Sequence, residues 1–335
     1  MSAGEFDLIA RLVERVPSTS ARIRVGSGDD AAVTAPSDRA VATTVDAIVE
    51  DVHFTLPEFP LEAVGRKALA AALSDLAAMA AEPGEAYASL AVPARLDSEQ
   101  LLEIADGIAA VAEREGVAIA GGDLSRGPAL MIALTCVGYE RDGARFVRRA
   151  GARAGDAVVL TGELGGAAAA LALLEGTVAG DGLDEREREA LLARQLDPRP
   201  RFAAAHALSA AGATAMVDVS DGVGADAAHL ARASGVHVEI ELERVPPAAG
   251  LDAAIADEAE ARRMIVSGGE DFELLATVPA PRLAEASEAV AATGVRLTQI
   301  GEVSDGEGAA IRDRDGAEVD APGFDHIRGS RSGSA

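Results

Sequence analysis

Seven short motifs hold most of the residues in this chain that can do chemistry, and nearly all of them set carboxylates beside glycine or a hydroxyl residue. In chain order they are Gly28-Asp29-Asp30, then Thr43-Thr44-Val45-Asp46 with His53 seven residues on, and Asp75 alone in an alanine- and leucine-rich stretch. Ala120-Gly121-Gly122-Asp123 follows, then the run GDAVVLTGELGG ending at Gly166, then Val217-Asp218-Val219-Ser220-Asp221-Gly222 and Ser267-Gly268-Gly269-Glu270-Asp271-Phe272-Glu273-Leu274. Carboxylate and hydroxyl oxygens are the hard donors that Mg²⁺ takes, and Mg²⁺ commonly shares one or two carboxylates with the oxygens of a polyphosphate. Glycine lets a backbone approach an anion closely, and successive N–H groups cradle phosphate. Asp29, Asp30, Asp46, Asp75, Asp123, Asp218 and Asp221 can gather in one place only if divalent cations neutralise them.

Each motif has a plainer reading. Gly26 to Ala31 fits G-x-G-x-x-A, but a dinucleotide fingerprint needs a helix immediately after the glycines. Ala31 to Thr34 reads instead as a short strand meeting Pro36, so a turn with two solvated acids is the competing description. Asp46 at a strand end is also ordinary turn chemistry, and a lone histidine such as His53 is more often packed or exposed than a ligand. Asp75 lies among Ala70, Ala71, Ala72, Leu73, Leu76, Ala77, Ala78 and Met79, so either its helix shows water one polar edge or the acid has a cation partner. GDAVVLTGELGG serves equally as a phosphate cradle or as a structural strand–turn–helix junction.

The elements that must position these residues alternate between strand and helix, which predicts an α/β (α+β) architecture. Helices are expected over 4–16, 61–81, 98–115, from 164, 184–195, 200–211 and 222–233; strands over 40–48, 86–93, 117–120, 129–138, 157–160, 214–219, 236–242 and 272–278. The apolar run Ala129 to Gly138 reads as a buried strand, and the strand at 117–120 as running into Gly121-Gly122-Asp123 directly after it. Residues 141–155 turn polar, arginine-rich and glycine-punctuated, which places a boundary between domains 1–145 and 150–328, with a Ser/Gly tail at 329–335 expected to be disordered.

Composition narrows the function. The chain has 335 residues, 49% of them apolar, which is enough for two domain cores. It carries 30 basic against 55 acidic residues, a net charge of −25, and nucleic-acid binding needs the opposite sign. Cys136 is the one cysteine, so an intrachain disulfide and a Cys-rich zinc site are excluded, and a reducing, cytoplasmic setting is expected. No apolar stretch is long enough to cross a bilayer, and residues 1–16 lack a signal-peptide core. Lys67 is the sole lysine, and Gly65-Arg66-Lys67-Ala68 lacks the spacing and hydroxyl of a P-loop. The H-R-D and D-F-G signatures of protein kinases are absent as well. An ATP enzyme of this composition would hold phosphates through magnesium, backbone and arginine.

Taken together and in order, the motifs resemble the thiamine-monophosphate kinase family, over residues 4 to about 327. The resemblance implies a two-domain fold like aminoimidazole-ribotide synthetase (PurM-like), with an N-terminal domain that forms a β-barrel at a homodimer interface. It implies ATP and several Mg²⁺ in a cleft between the domains. By motif, Asp30, Thr44, Val45, Asp46, Asp75, Asp123, Asp218 and Asp221 would belong to the metal set. Asp106, Gly122, Asp123, Arg149 and Ser220 would sit around the nucleotide; His53, Glu270 and Phe324 would meet thiamine monophosphate, Phe324 by stacking on the cationic ring. Val45 departs from a hydroxyl residue frequent in the family, which removes a side-chain metal contact, and Phe272 and Phe324 depart from tyrosine. Sister enzymes of the same superfamily are the nearest alternative, although a selenophosphate synthetase would carry a reactive Cys and Lys near its N-terminus. A metal-buffering acidic scaffold is the other, against which the acids sit in glycine-flanked motifs and not in a tail.

Overall fold

The structure, a computed structural model, describes residues 5–56 and 58–323, with side chains from Asp7 onward. Residues up to Ala77, 81–145 and 196–200 form one compact unit; 78–80, 146–195 and the residues from Arg201 on form a second. No helix among the described residues is long and apolar enough to span a membrane.

The first unit contains α1 (Glu5–Arg15), β1 (Ile23–Val25), β2 (Val33–Thr34), β3 (Val41–Val49), α2 (Leu61–Ala78), β4 (Glu82–Val92), α3 (Ser98–Glu115), β5 (Ala118–Arg126) and β6 (Met131–Tyr139). β1 and β2 pair as a small ribbon, so no helix follows Gly26 and Gly28 and the dinucleotide reading falls. The other four strands form one sheet in the order β3-β6-β4-β5, antiparallel except for β4 with β5. β6 is half-buried and not wholly buried as expected: Ile132, Leu134 and Cys136 point inward, while Met131, Ala133, Thr135 and Val137 alternate onto a partly exposed face. β5 runs on past Ala120 to Arg126, so Gly121-Gly122-Asp123 lies inside a strand and forms no turn.

α2 reads almost continuously apolar because it is buried nearly all round, from Ala63 and Val64 to Leu76 and Ala77. α3 opens with a capping box, Asp97 with Gln100, and closes on Gly116 in the left-handed region at φ 70°. The two helices cross where both carry glycine: a Cβ on Gly65 would stand 2.1 Å from the Ile104 carbonyl oxygen, and one on Gly107 1.9 Å from that of Glu62.

The second unit contains β7 (Asp156–Thr161), α4 (Gly166–Leu174), α5 (Glu185–Leu196), α6 (Phe202–Ala210), β8 (Ala215–Asp218), α7 (Val223–Ser234), β9 (His237–Glu241), α8 (Leu251–Ala254), α9 (Glu258–Ser267), β10 (Leu274–Pro279), α10 (Leu283–Ala291), β11 (Leu297–Ser304) and β12 (Gly308–Arg312). Six strands form a mixed sheet in the order β12-β9-β11-β7-β10-β8, in which only β12 and β9 are parallel neighbours. Every residue of β7 is buried because both faces are covered. Val158 and Leu160 pack into the core that includes Val223, Leu230 and Val266, and Ala157 and Val159 into the one that includes Leu208, Ala286 and Val290.

Replacing Gly107 with alanine should lower the thermal midpoint of the protein. The roughly 1 kcal/mol gained in helix propensity is outweighed by a backbone clash costing about 1–3 kcal/mol, and an unchanged or higher midpoint would show that the helices do not cross this closely.

Candidate active site

In the first unit, strand alternation sorts the residues around Asp46. Thr44 and Asp46 share one face of β3, and Val45 points out of the other with 69% of its surface exposed. Val45 therefore has no side-chain part in a metal set with its neighbours. α2 brings Asp75 to the inner face, where Thr44 Oγ1 donates to its Oδ2 at 2.5 Å. The half-buried Asp75 thus has a hydroxyl partner, and no cationic side chain pairs with it among the described residues. Cys136 stands opposite Thr44 in the register; burial, then the charges of Asp46 and Asp75, push its thiol up to about 12, so it is inert as a nucleophile.

The turn after β3 carries His53. Its Nδ1 accepts from the Val49 N–H at 3.0 Å, and its carbonyl accepts from Lys67 Nζ at 2.7 Å. Lys67 is 1% exposed on α2, and its ammonium also lies 5.3 Å from the centre of the Phe59 ring. Asp30 and Asp123 are exposed; the N–H of Asp30 donates to Asp29, and Ser125 donates to Asp123. Gly122 permits close pairing with β4, since a Cβ there would stand 2.3 Å from the Ala88 carbonyl oxygen. Asp106 lies on α3 in a half-exposed ion pair with Arg15 at 2.5 Å.

In the second unit three glycine-bearing segments are bonded to one another. β8 ends at the buried Asp218, and Gly222, at φ 110°, turns the chain into α7. Asp226 on the first turn of α7 reaches back, its Oδ2 accepting from the N–H groups of Ser220 and Asp221 at 3.1 and 3.2 Å. The N–H of Glu270 donates to the Ser220 carbonyl and that of Phe272 to the Val219 carbonyl, both at 2.9 Å. The buried Asp271 accepts from Gly165 N–H at 2.7 Å and Ala167 N–H at 2.9 Å, at the start of α4. These donors are the N–H groups that a phosphate cradle in GDAVVLTGELGG would need, so here the structural reading of that motif holds.

Around this loop, Gln195 donates to Glu270 Oε2 at 3.0 Å. The buried Glu273 takes both arms of Arg201, one of Arg194 and the hydroxyl of Thr161. Arg149 is exposed, and its carbonyl accepts from Ser234, whose oxygen in turn accepts from the N–H groups of Gly151 and Ala152. Phe324 lies outside the described residues; Gly323 packs against α7, where a Cβ would stand 2.4 Å from that of Ala225. Asp226, Asp271 and Gln195 were missed in the sequence, although Asp271 sits inside a quoted motif, because their partners are backbone groups or lie far away along the chain.

The donors available to a metal are carboxylates and a hydroxyl, which suits magnesium and not a thiophilic ion. Among the described residues no three His, Cys, Asp or Glu side chains gather closely enough to hold one ion.

Family models place the chain. The model for the N-terminal domain of AIR synthase related proteins matches residues 28–139, and that for the C-terminal domain matches 153–314. Fold and motifs thus define a two-domain, PurM-like AIR synthase related protein. Within that class, the thiamine-monophosphate kinase of Salmonella typhimurium is 36% identical over 330 residues, covering 98% of this chain and 99% of the relative. The crystal structure of thiamine-monophosphate kinase from Stenotrophomonas maltophilia is 34% identical, with a TM-score of 0.83 over 95% of this chain and 99% of that one. AaThiL complexed with AMPPCP and TMP is 32% identical, with a TM-score of 0.76 over 96% of this chain and 97% of that one. The chain belongs to the thiamine-monophosphate kinase family.

The Asp226 carboxyl is pushed up to about 8 by burial first, then by Asp218 and Asp221, against the downward pull of its two N–H bonds. An acid whose folded value lies above its unfolded value, near 4, stabilises the fold fully below that unfolded value. The stabilisation is lost as pH rises through the folded value. Without divalent cations, the thermal midpoint should fall between about pH 5 and about pH 8.5, and Asp226→Asn should flatten that slope. Equal slopes in the two proteins would contradict the assignment.

Proposed function

We propose that the chain transfers the γ-phosphoryl group of ATP directly to the phosphate of thiamine monophosphate, giving thiamine diphosphate and ADP. The observation that carries this reading is the relationship at 36% identity across 98% of the chain, which takes in every chemical motif. The chain is a kinase of thiamine phosphate with ATP as co-substrate, as its relatives' names and the AMPPCP and TMP complex of AaThiL support.

The acceptor is itself a phosphate, whose second pKa near 6 leaves it anionic at neutral pH. No residue need act as a general base, and positioning with charge neutralisation carries the catalysis. Bound Mg²⁺ would supply Lewis-acid neutralisation of the phosphate oxygens. In the first unit Asp30, Thr44, Asp46, Asp75 and Asp123 are the residues that would hold magnesium; in the second unit they are Asp218 and Asp221. Thr44 keeps Asp75 oriented through their hydrogen bond, and Asp226 keeps the Ser220–Asp221 backbone in shape. Asp106, Gly122, Arg149 and Ser220 would contact the nucleotide. His53, Glu270 and Phe324 would receive thiamine monophosphate, Glu270 offering a carboxylate to the thiazolium charge. Such an enzyme works where ATP is made, in the cytoplasm.

Incubation with Mg-ATP and thiamine monophosphate should yield thiamine diphosphate, seen by chromatography, with loss of the product in EDTA. Asp46→Asn should lower kcat by about 100-fold or more. ADP release only with a different acceptor would move the chain to a sister activity, and an active Asp46→Asn would remove Asp46 from the metal set.

We also infer that the chain works as a homodimer paired through the open face of the β3-β6-β4-β5 sheet. Val41 and Val45 stand 52% and 69% exposed on it, beside Ala133, Thr135 and Val137 of β6. Sedimentation should show a dimer that Val45→Asp dissociates, because the charge would be stripped of water in the interface; a monomeric wild type would overturn the pairing.

A further inference from the structure

Four non-glycine residues among those described have positive φ, and two of them flank Asp271: Glu270 at 66° and Phe272 at 50°. For a residue as bulky as phenylalanine this backbone is a genuine outlier, and both positions cost free energy that the surroundings must offset. The neighbouring glycines do not relieve it. Gly268 has an ordinary φ of −67° and Gly269 is not among the positive-φ glycines. Both are glycine for space: a Cβ would stand 2.2 Å from the Met264 carbonyl oxygen and 2.5 Å from that of Ser220. The sequence thus keeps side chains where the backbone asks for glycine. Phe272 has a packing reason, being buried. Glu270 is only half-buried, so packing does not explain its side chain.

What holds this bend is on either side of it. The N–H groups of Glu270 and Phe272 are tied to the Ser220 and Val219 carbonyls, and the enclosed Asp271 carboxylate grips two N–H groups at the start of α4. Gln195, anchored on the Ala167 carbonyl at 3.1 Å, steadies the Glu270 carboxylate from α5.

We propose that Asp271 is a positioning residue, whose grip on the start of α4 forces Glu270 into a left-handed backbone and so fixes its carboxylate for the cationic ring of thiamine monophosphate. The inference rests on the reading of Glu270 as a substrate contact. Asp226 gives the Ser220–Asp221 backbone a second hold that does not pass through Asp271, so loosening Asp271 should touch thiamine monophosphate more than ATP.

Initial rates at varied thiamine monophosphate and varied Mg-ATP test this. Asp271→Asn should raise KM for thiamine monophosphate about ten-fold, the loss expected from one misplaced charged hydrogen bond, with KM for ATP unchanged within about two-fold. A lower thermal midpoint with both KM values unmoved would reduce Asp271 to a structural anchor and overturn the proposal. Should Asp271→Asn not fold, the strain is read at Glu270 itself. Glu270→Gln keeps the Cβ in the left-handed region, and Glu270→Gly removes it. The glycine variant should unfold about 2–4 °C above the glutamine variant, the reverse of the usual glycine penalty; a lower midpoint would show that no strain is held there. If the wild type makes no thiamine diphosphate, the functional reading falls, and the Gln and Gly pair still decides whether the backbone at Glu270 is strained.

Discussion

Carboxylates satisfied by backbone N–H groups or a hydroxyl are the interaction on which the site loops depend. Asp271 takes two N–H groups at the start of α4, Asp226 takes two on the loop before α7, and Asp75 takes the hydroxyl of Thr44. A carboxylate satisfied by a guanidinium contributes no net charge to its surroundings. One satisfied by dipoles remains an anion, or holds a proton that a nearby cation can displace. The arginines of the second unit show the contrast: Arg194 and Arg201 converge on Glu273, which is thereby a structural ion cluster and not a metal site. The fold thus separates acids neutralised by arginine, which hold the scaffold, from acids that keep their charge or a proton.

Glycine does two different jobs in the same motifs, and sorting them changes what each motif means. At Gly222 the chain needs a positive φ to pass from β8 into α7. At Gly122, Gly268 and Gly269 it needs room, because a carbonyl of another segment already occupies the place of a Cβ. None of the three is evidence of a phosphate by itself. The glycines let the segments lie against one another closely enough for the carboxylate-to-backbone bonds to form, and what remains for ligands is the set of acids those bonds orient.

Much of this was legible in the sequence, and the parts that were not share a cause. Periodicity gave α3 to the residue, because its capping box and terminal Gly116 are local signals. The same reasoning overextended α2 to Ala81, since Ala78, Met79, Ala80 and Ala81 are as helix-compatible as what precedes them, and Ala80 leaves the helix at φ 54°. β6 read as buried on both faces because small apolar residues fill both; only the sheet shows that helices cover one side. Residues 279–328 gave no strand pattern, yet they hold α10, β11 and β12. There β11 is bulged and the edge strand β12 mixes exposed with buried positions, which blurs the period. The acids of the motifs were visible as types. Which ones hold the backbone, as Asp226 and Asp271 do, was not, because a backbone N–H leaves no mark in a sequence.

β3 shows how closely the remaining constraints are coupled. Its alternation sends Thr44 and Asp46 toward α2 and Asp75, and Val41 and Val45 out to the open face. A slip of one residue would exchange the two sets, placing valines beside Asp75 and a carboxylate on the apolar face. The nine paired positions between β3 and β6, with no register shift, oppose that slip along the whole strand. Pairing of a second sheet on the outer face would therefore reinforce the register that the inner face requires, because the two demands act on one strand of fixed period. The same geometry explains why a hydroxyl at position 45 would not reach Asp46 and Asp75: the Val45 side chain lies on the opposite face of the strand.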